Sequence, residues 1–278
     1  GFIDLHAHGQ QLPAARMQAF DGVTTALELE AGVLPVGAFY DQVAREGRPI
    51  NYGTAASWAE ARQAVMDGVT PEPSLEAFEK AQRLPNWSSK IATEPQIQAM
   101  AKMVDQGISE GGLGVGFLIG YAPPSGRKEY YEINQLAAAR NVPTFTHVRF
   151  MSVEEPQSSF EAYQEMVATA AATGAHMHIC HLNSTSLRDA PRVIELISSA
   201  QKRGVPLTVE AYPYAAGSTV IGAAMFRGPN WRERLGGAKA SDFEYNGKPL
   251  DEESFARLQK ENPGARIVIH FLNPGVIP

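Results

Sequence analysis

His6 and His8 stand two residues apart in the opening stretch GFIDLHAH. In a strand, side chains two residues apart share a face, and two imidazoles on one face can chelate a single divalent ion. Asp4 shares that face and is placed to orient a ligand histidine. His147, in THVR, and His181, in ICH, follow later in the chain. Glu28 and Glu30 alternate in TTALELE, and Glu30, nearer the end of that run, is the expected metal or bridging ligand. A carboxylate facing an interior is costly unless it is paired or bound to metal, so a salt bridge is the competing reading. The candidate metal ligands are therefore His6, His8, Glu30, His147 and His181. Tyr214, like Tyr212, follows Glu210 in VEAYPY and is placed to donate to a carbonyl oxygen as charge develops there. Arg149, two residues after His147, is placed to grip a substrate carboxylate with both arms of its fork. Packing is the plain alternative for Tyr214, and a structural ion pair for Arg149. His176 and His178 are expected at the start of a strand, and His270 in the core.

These residues need a scaffold that brings distant segments to one point. Short apolar runs at residues 2–8, 24–30, 51–57, 113–120, 143–149, 176–182 and 206–212 read as strands, and residues 266–272 as a further one. Helical periodicity fills several gaps, at residues 94–106, 158–172 and 187–202. Gly107, Gly174 and Gly204 follow these helices, where a left-handed cap is expected. Strands alternating with helices imply a parallel sheet. With no Gly-rich phosphate loop after the first strand, the pattern favours an α/β fold of the (β/α)8 TIM-type barrel class over an open doubly wound sheet. A barrel builds its chemistry at the C-terminal strand ends, and the four histidines fall at three of them. Residues 1–278 read as one barrel, incomplete at its C-terminal end, with 229–252 as a loop or lid insertion.

Composition narrows the function classes. The 278 residues are 44% hydrophobic and 19% charged, with a net charge of -6, which fits a globular enzyme. No basic stripe suggests a nucleic-acid partner, and no run of 18 apolar residues suggests a membrane span. Cys180 is the single cysteine, so no intrachain disulfide can form. A cytoplasmic location is expected. The first residues already read as a buried strand, so a fragment or processed chain is expected.

The stretches GFIDLHAH, GVTT, GGLGVGFLIGYAP, THVR, ICH and YPY occur in the order found in the amidohydrolase superfamily. Together they resemble its N-acyl-D-amino-acid deacylases, the D-aminoacylases and their D-glutamate and D-aspartate relatives. The resemblance covers most of residues 1–231. It implies a zinc-dependent hydrolase with one or two ions, other divalent metals being alternatives. His147 and His181 would hold the catalytic ion and His6 and His8 a second one. Metal-bound water, its pKa lowered toward about 7, would attack an N-acyl amino acid, such as N-acyl-D-glutamate, releasing a carboxylate and a free D-amino acid. Three departures stand out. The family's cysteine after GVTT is absent, with Glu30 the nearest replacement. Asn183 stands where the family often has lysine. The family's catalytic aspartate is expected beyond Pro278. LGVGFLIGYAP carries no lysine, which argues against the subtype whose metals are bridged by a carbamylated lysine. A cyclic amidase or another amidohydrolase, and a non-catalytic barrel that has lost its metal site, are the competing readings.

Overall fold

The computed structural model describes residues 1–270 except 75, 76, 78, 79, 82 and 229. Seven strands among them form one parallel sheet in chain order: β1 Phe2–Asp4, β2 Val23–Val33, β3 Asn51–Ser57, β4 Val115–Leu118, β5 Thr144–His147, β6 Met177–Ile179 and β7 Leu207–Val209. Each pairs in parallel with the next. The sheet curls into an incomplete TIM-type barrel with helices outside, and its strands are mostly shorter than the apolar runs suggest. Exposed apolar side chains mark its two outer strands, with Phe2 71%, Ile3 64% and Val209 40% exposed.

Alternation along the strands separates two cores. Val115, Phe117, Met177 and Ile179 face outward and pack with Ile97, Met100, Ile133 and Met166 of the surrounding helices. Leu27, Leu29, Ala55, Phe145 and Cys180 pack together inside the barrel. On β5 the order Phe145, His147 keeps the histidine on the interior side. Directly above it, Gly120 is required: a Cβ there would come within 2.4 Å of the His147 ring.

The helix Glu94–Ser109 runs three residues past its expected end. Gly107 is therefore not its cap but a buried helical residue. A Cβ there would meet Leu34 at 2.8 Å and Ala56 at 2.9 Å, so the missing side chain lets helix and sheet approach. Gly174, at φ +73°, does cap the helix Ser159–Thr173, and Gly204, at φ +84°, follows the helix Ala190–Lys202.

After β7 the chain builds a second, antiparallel sheet from β8 Gly217–Val220, β9 Phe243–Tyr245, β10 Lys248–Pro249 and β11 Arg266–Ile269, in the order β10-β9-β11-β8. The expected strand at residues 266–272 thus exists over Arg266–Ile269 but in this sheet; residues 271 and 272 lie outside the described residues. The stretch 229–252, read as loop or lid, supplies β9 and β10. Its Trp231 and Phe243 join Phe226 and Phe255, which flank it, in an aromatic core, with Trp231 stacked on Phe255 at 5.3 Å. The Tyr121 hydroxyl on Thr219, at 2.9 Å, and Val153 N–H on the Arg234 carbonyl, at 2.8 Å, join this sheet to the C-terminal end of the barrel.

A buried charge pair ties the outer helices together. Arg62 pairs with Glu129 and also donates to the Lys90 carbonyl. Trp58 donates from its indole nitrogen to the same Glu129 at 2.7 Å. Removing one member leaves an uncompensated buried charge. Glu129→Ala is therefore expected to cost about 3–5 kcal/mol in denaturant unfolding, and Arg62→Met with Glu129→Leu less than the single change. A double variant as unstable as the single one would show that packing, not charge, dominates there.

Candidate metal centre

The five candidate ligands converge at the C-terminal mouth of the barrel. Each oxygen of Glu30 faces two imidazoles. Oε1 lies 3.1 Å from His147 Nδ1 and 2.6 Å from His181 Nε2. Oε2 lies 3.0 Å from His6 Nε2 and 3.2 Å from His8 Nε2, and those two nitrogens are 3.0 Å apart. Glu30 is buried, 3% exposed, so the carboxylate has almost no water to satisfy it.

Sequence alternation places Glu28 and Glu30 on one face of a regular strand. The pairing of β2 with β3 instead shifts register between Glu28 and Val33. Leu27 and Leu29 take the barrel interior, while both carboxylates reach histidines. Glu28 holds His8 Nδ1 with both oxygens, at 2.9 and 3.1 Å. Glu210, just past β7, holds His6 Nδ1 with one oxygen and lies 3.3 Å from His178 Nε2 with the other. His6 and His8 thus each turn an outer nitrogen to a carboxylate and an inner nitrogen to the centre. That is the orientation by which a carboxylate fixes the tautomer of a metal-bound imidazole. Asp4 does not serve this role: its Oδ1 accepts from the backbone N–H of His6, at 2.9 Å.

The donor set fits a divalent cation. Ligands about 2.0–2.2 Å from a tetrahedral ion lie roughly 3.3 Å from one another, close to the separations seen here. The electrostatics agree. Burial disfavours charge on His6, yet the Glu30 carboxylate and the hydrogen bonds around the ring hold its pKa well above the ordinary value. Burial also opposes charge on His8, but Glu28 lifts it to about 10. Burial would raise Glu30, but His6 and His181 hold it well below the carboxylate range. Positive charge on His6 and His8 thus faces the carboxylates where a bound cation would supply it, whereas burial holds His181 below its ordinary value.

The centre opens into a cavity of about 500 Å³. Tyr121, Ser184, Thr185, Tyr212, Tyr214, Ser218 and Thr219 bring hydroxyls to its wall, and Met151, Met225 and Ile269 bring apolar surface. The second sheet therefore forms one side of it. Tyr214 lies on the wall, 70% exposed.

Arg149 is not brought to this cavity. Its Nε and Nη2 pair with Glu165, each at 2.8 Å, and its Nη1 donates to the Pro123 and Ser125 carbonyls at 2.9 and 2.7 Å. Its fork is spent on a buried structural pair, so the expected grip on a substrate carboxylate is corrected. Asn183 is likewise engaged, with Nδ2 donating to the Tyr212 carbonyl at 2.9 Å. The roles of Glu28 and Glu210 in holding His8 and His6 were missed in the sequence. For Glu28 and Glu210 the available signal was an acidic residue near a strand end, which surface positions share.

The amidohydrolase family model matches residues 1–202. Among solved structures, an N-acyl-D-glutamate deacylase from Bordetella bronchiseptica, complexed with zinc and a phosphonate mimic of the tetrahedral intermediate, has 18% identity and a TM-score of 0.69. A D-aminoacylase described as having a binuclear metal centre, and a D-aminoacylase variant solved with copper, each have 19% identity and a TM-score of 0.68. All three cover 97% of this chain, which spans 60% of theirs, and at this identity the likeness is one of fold. None of the curated proteins matches the chain.

Because Glu30 touches both halves of the cluster, its loss should empty both. Elemental analysis after zinc reconstitution is expected to find metal in the wild type, less in His147→Ala and in His8→Ala, and least in Glu30→Ala. Equal metal in wild type and Glu30→Ala would remove the bridging role.

Proposed function

The chain belongs to the amidohydrolase family, and from that premise we propose that it is a metal-dependent hydrolase of N-acyl-D-amino acids, yielding a carboxylate and the free D-amino acid. The observation that carries the proposal is the Glu30 carboxylate with two imidazoles on each oxygen, at the floor of an open cavity.

His147, His181 and Glu30 would hold one ion, and His6, His8 and Glu30 another, zinc being the first candidate. Such a cation supplies acidified water and polarisation of the scissile carbonyl. The protein's own groups set the stage for it. Glu28 and Glu210 keep the inner nitrogens of His8 and His6 aimed at the centre. Tyr121 lies against His147, with ring centroids 5.1 Å apart, and limits that ring's motion. Burial, together with the Glu30 charge, lifts the Tyr121 hydroxyl to about 12, so it stays a neutral donor at neutral pH. Tyr214 is proposed to donate to the substrate's carbonyl oxygen from the cavity wall.

The lining also bears on the side chain of the substrate. Among the described residues no Lys or Arg lines the cavity, while methionine, isoleucine and tyrosine side chains do. With Arg149 held by Glu165, no Lys or Arg among the described residues lines the cavity to meet an acidic side chain. We therefore favour N-acyl-D-amino acids with uncharged side chains over N-acyl-D-glutamate.

The test is release of free amine from N-acyl-D-leucine, N-acyl-D-methionine, N-acyl-D-glutamate, their L-enantiomers and a hydantoin, with zinc-loaded protein. Turnover is expected for the D-leucine and D-methionine derivatives first. His181→Ala should lose more than the roughly 10–100-fold typical of residues that only support a ligand. Faster turnover of the hydantoin than of any N-acyl-D-amino acid would move the assignment to cyclic amides.

A further inference from the structure

Inside the barrel, below the cavity, lies the chain's single cysteine. Cys180 is 1% exposed and packs with Leu27, Leu29, Ala55 and Phe145. A small buried thiol is ordinary in such a layer, but its upper neighbours are not. A sulfur from Cys180, a nitrogen from His6 and an oxygen from Glu30 all lie within 4.8 Å of one another. We propose that Cys180 is a metal ligand, supplied as thiolate from beneath to the half of the centre held by His6 and Glu30. The proposal rests on the metal-dependent reading above.

Strand direction explains how two consecutive residues serve one centre. Met177 and Ile179 of β6 face the helices, so His178 and Cys180 face the interior. Regular alternation would then send residue 181 outward. His181 instead adopts φ +38° and ψ +54°, a left-handed conformation uncommon outside glycine. The turn brings its Nε2 to Glu30 at 2.6 Å, so Cys180 and His181 approach the same cluster from below and from the side.

The chemistry of the half-site agrees. His6, Glu30 and Cys180 offer it three donors within 4.8 Å of one another, and three protein ligands leave a tetrahedral ion one further position. On binding, the S–H bond breaks, the proton passes to solution and a sulfur–metal bond forms. A thiolate also biases the half-site toward softer ions than a set of nitrogens and oxygens alone.

The experiment is cobalt(II) loading of the protein, read by absorption and by bound metal. Thiolate ligation gives a sulfur-to-cobalt charge-transfer band in the near ultraviolet, apart from the visible bands of nitrogen and oxygen ligands. The wild type is expected to show the band, and Cys180→Ser and Cys180→Ala to lose it. With no other cysteine in the chain, the wild-type spectrum alone is decisive even where a variant folds poorly. Cobalt bound without the band overturns the thiolate ligand and leaves the hydrolase reading standing. A band that survives Cys180→Ser also overturns it. No cobalt bound at all overturns both.

Discussion

One buried carboxylate organises the functional end of this molecule. Glu30 is 3% exposed and accepts no hydrogen bond from Arg or Lys among the described residues; its four close partners are imidazoles. An ionised carboxylate in such surroundings is tolerated only where positive charge is near. His6 and His8 come from the segment after β1, His147 from β5 and His181 from the turn after β6. The barrel meets the need of one side chain on β2 by bending three other strand ends toward it. That requirement accounts for the register shift in β2, the glycine at 120 and the left-handed turn at His181.

The second sheet gives that centre an enclosed approach. Among the described residues it pairs with no barrel strand, and it has its own aromatic core around Phe226 and Phe243. Its β8 contributes Gly217, Ser218 and Thr219 to the cavity, and β11 contributes Ile269. The candidate metal ligands therefore stand on the parallel strands or just past their ends, while much of the cavity wall stands on a unit packed above them. Changes in the second sheet can alter the pocket without disturbing the ligands, a division that barrel enzymes obtain more commonly from their loops.

Much of the barrel was legible because its signals are local. Alternating strands and helices, and glycines at 174 and 204, need no tertiary knowledge to read. The convergence of His6, His8, His147, His181 and Glu30 was also legible, since strand-end position predicts convergence in a barrel. What the sequence hid depends on geometry beyond periodicity. Gly107 looks like a cap until the contact with Leu34 and Ala56 is seen. Arg149 looks free until Glu165, sixteen residues away, takes its fork. Glu210 follows an exposed stretch of β7 and has no pattern of its own; only the closing of the sheet brings it to His6. The polar stretch 229–252 reads as a loop because its few aromatic residues are scattered, and it is their packing with Phe226 and Phe255 that makes a sheet of it.

Metal occupancy and barrel stability are coupled by the same geometry. The ligands and their supporting carboxylates come from β1, β2, β5, β6 and β7 or the residues just beyond them, so a bound cation would cross-link most of the sheet. Binding free energy at a site absent from the unfolded chain adds to folding free energy. The metal-free cluster instead depends on His6 and His8 holding charge against the cost of burial. The centre is a group of imidazoles held together by Glu30, arranged as a cation would need them. The long-range contacts it makes close the mouth of the barrel across β1, β2, β5 and β6, while the outer edges of β1 and β7, with Phe2, Ile3 and Val209 exposed, remain outside its reach.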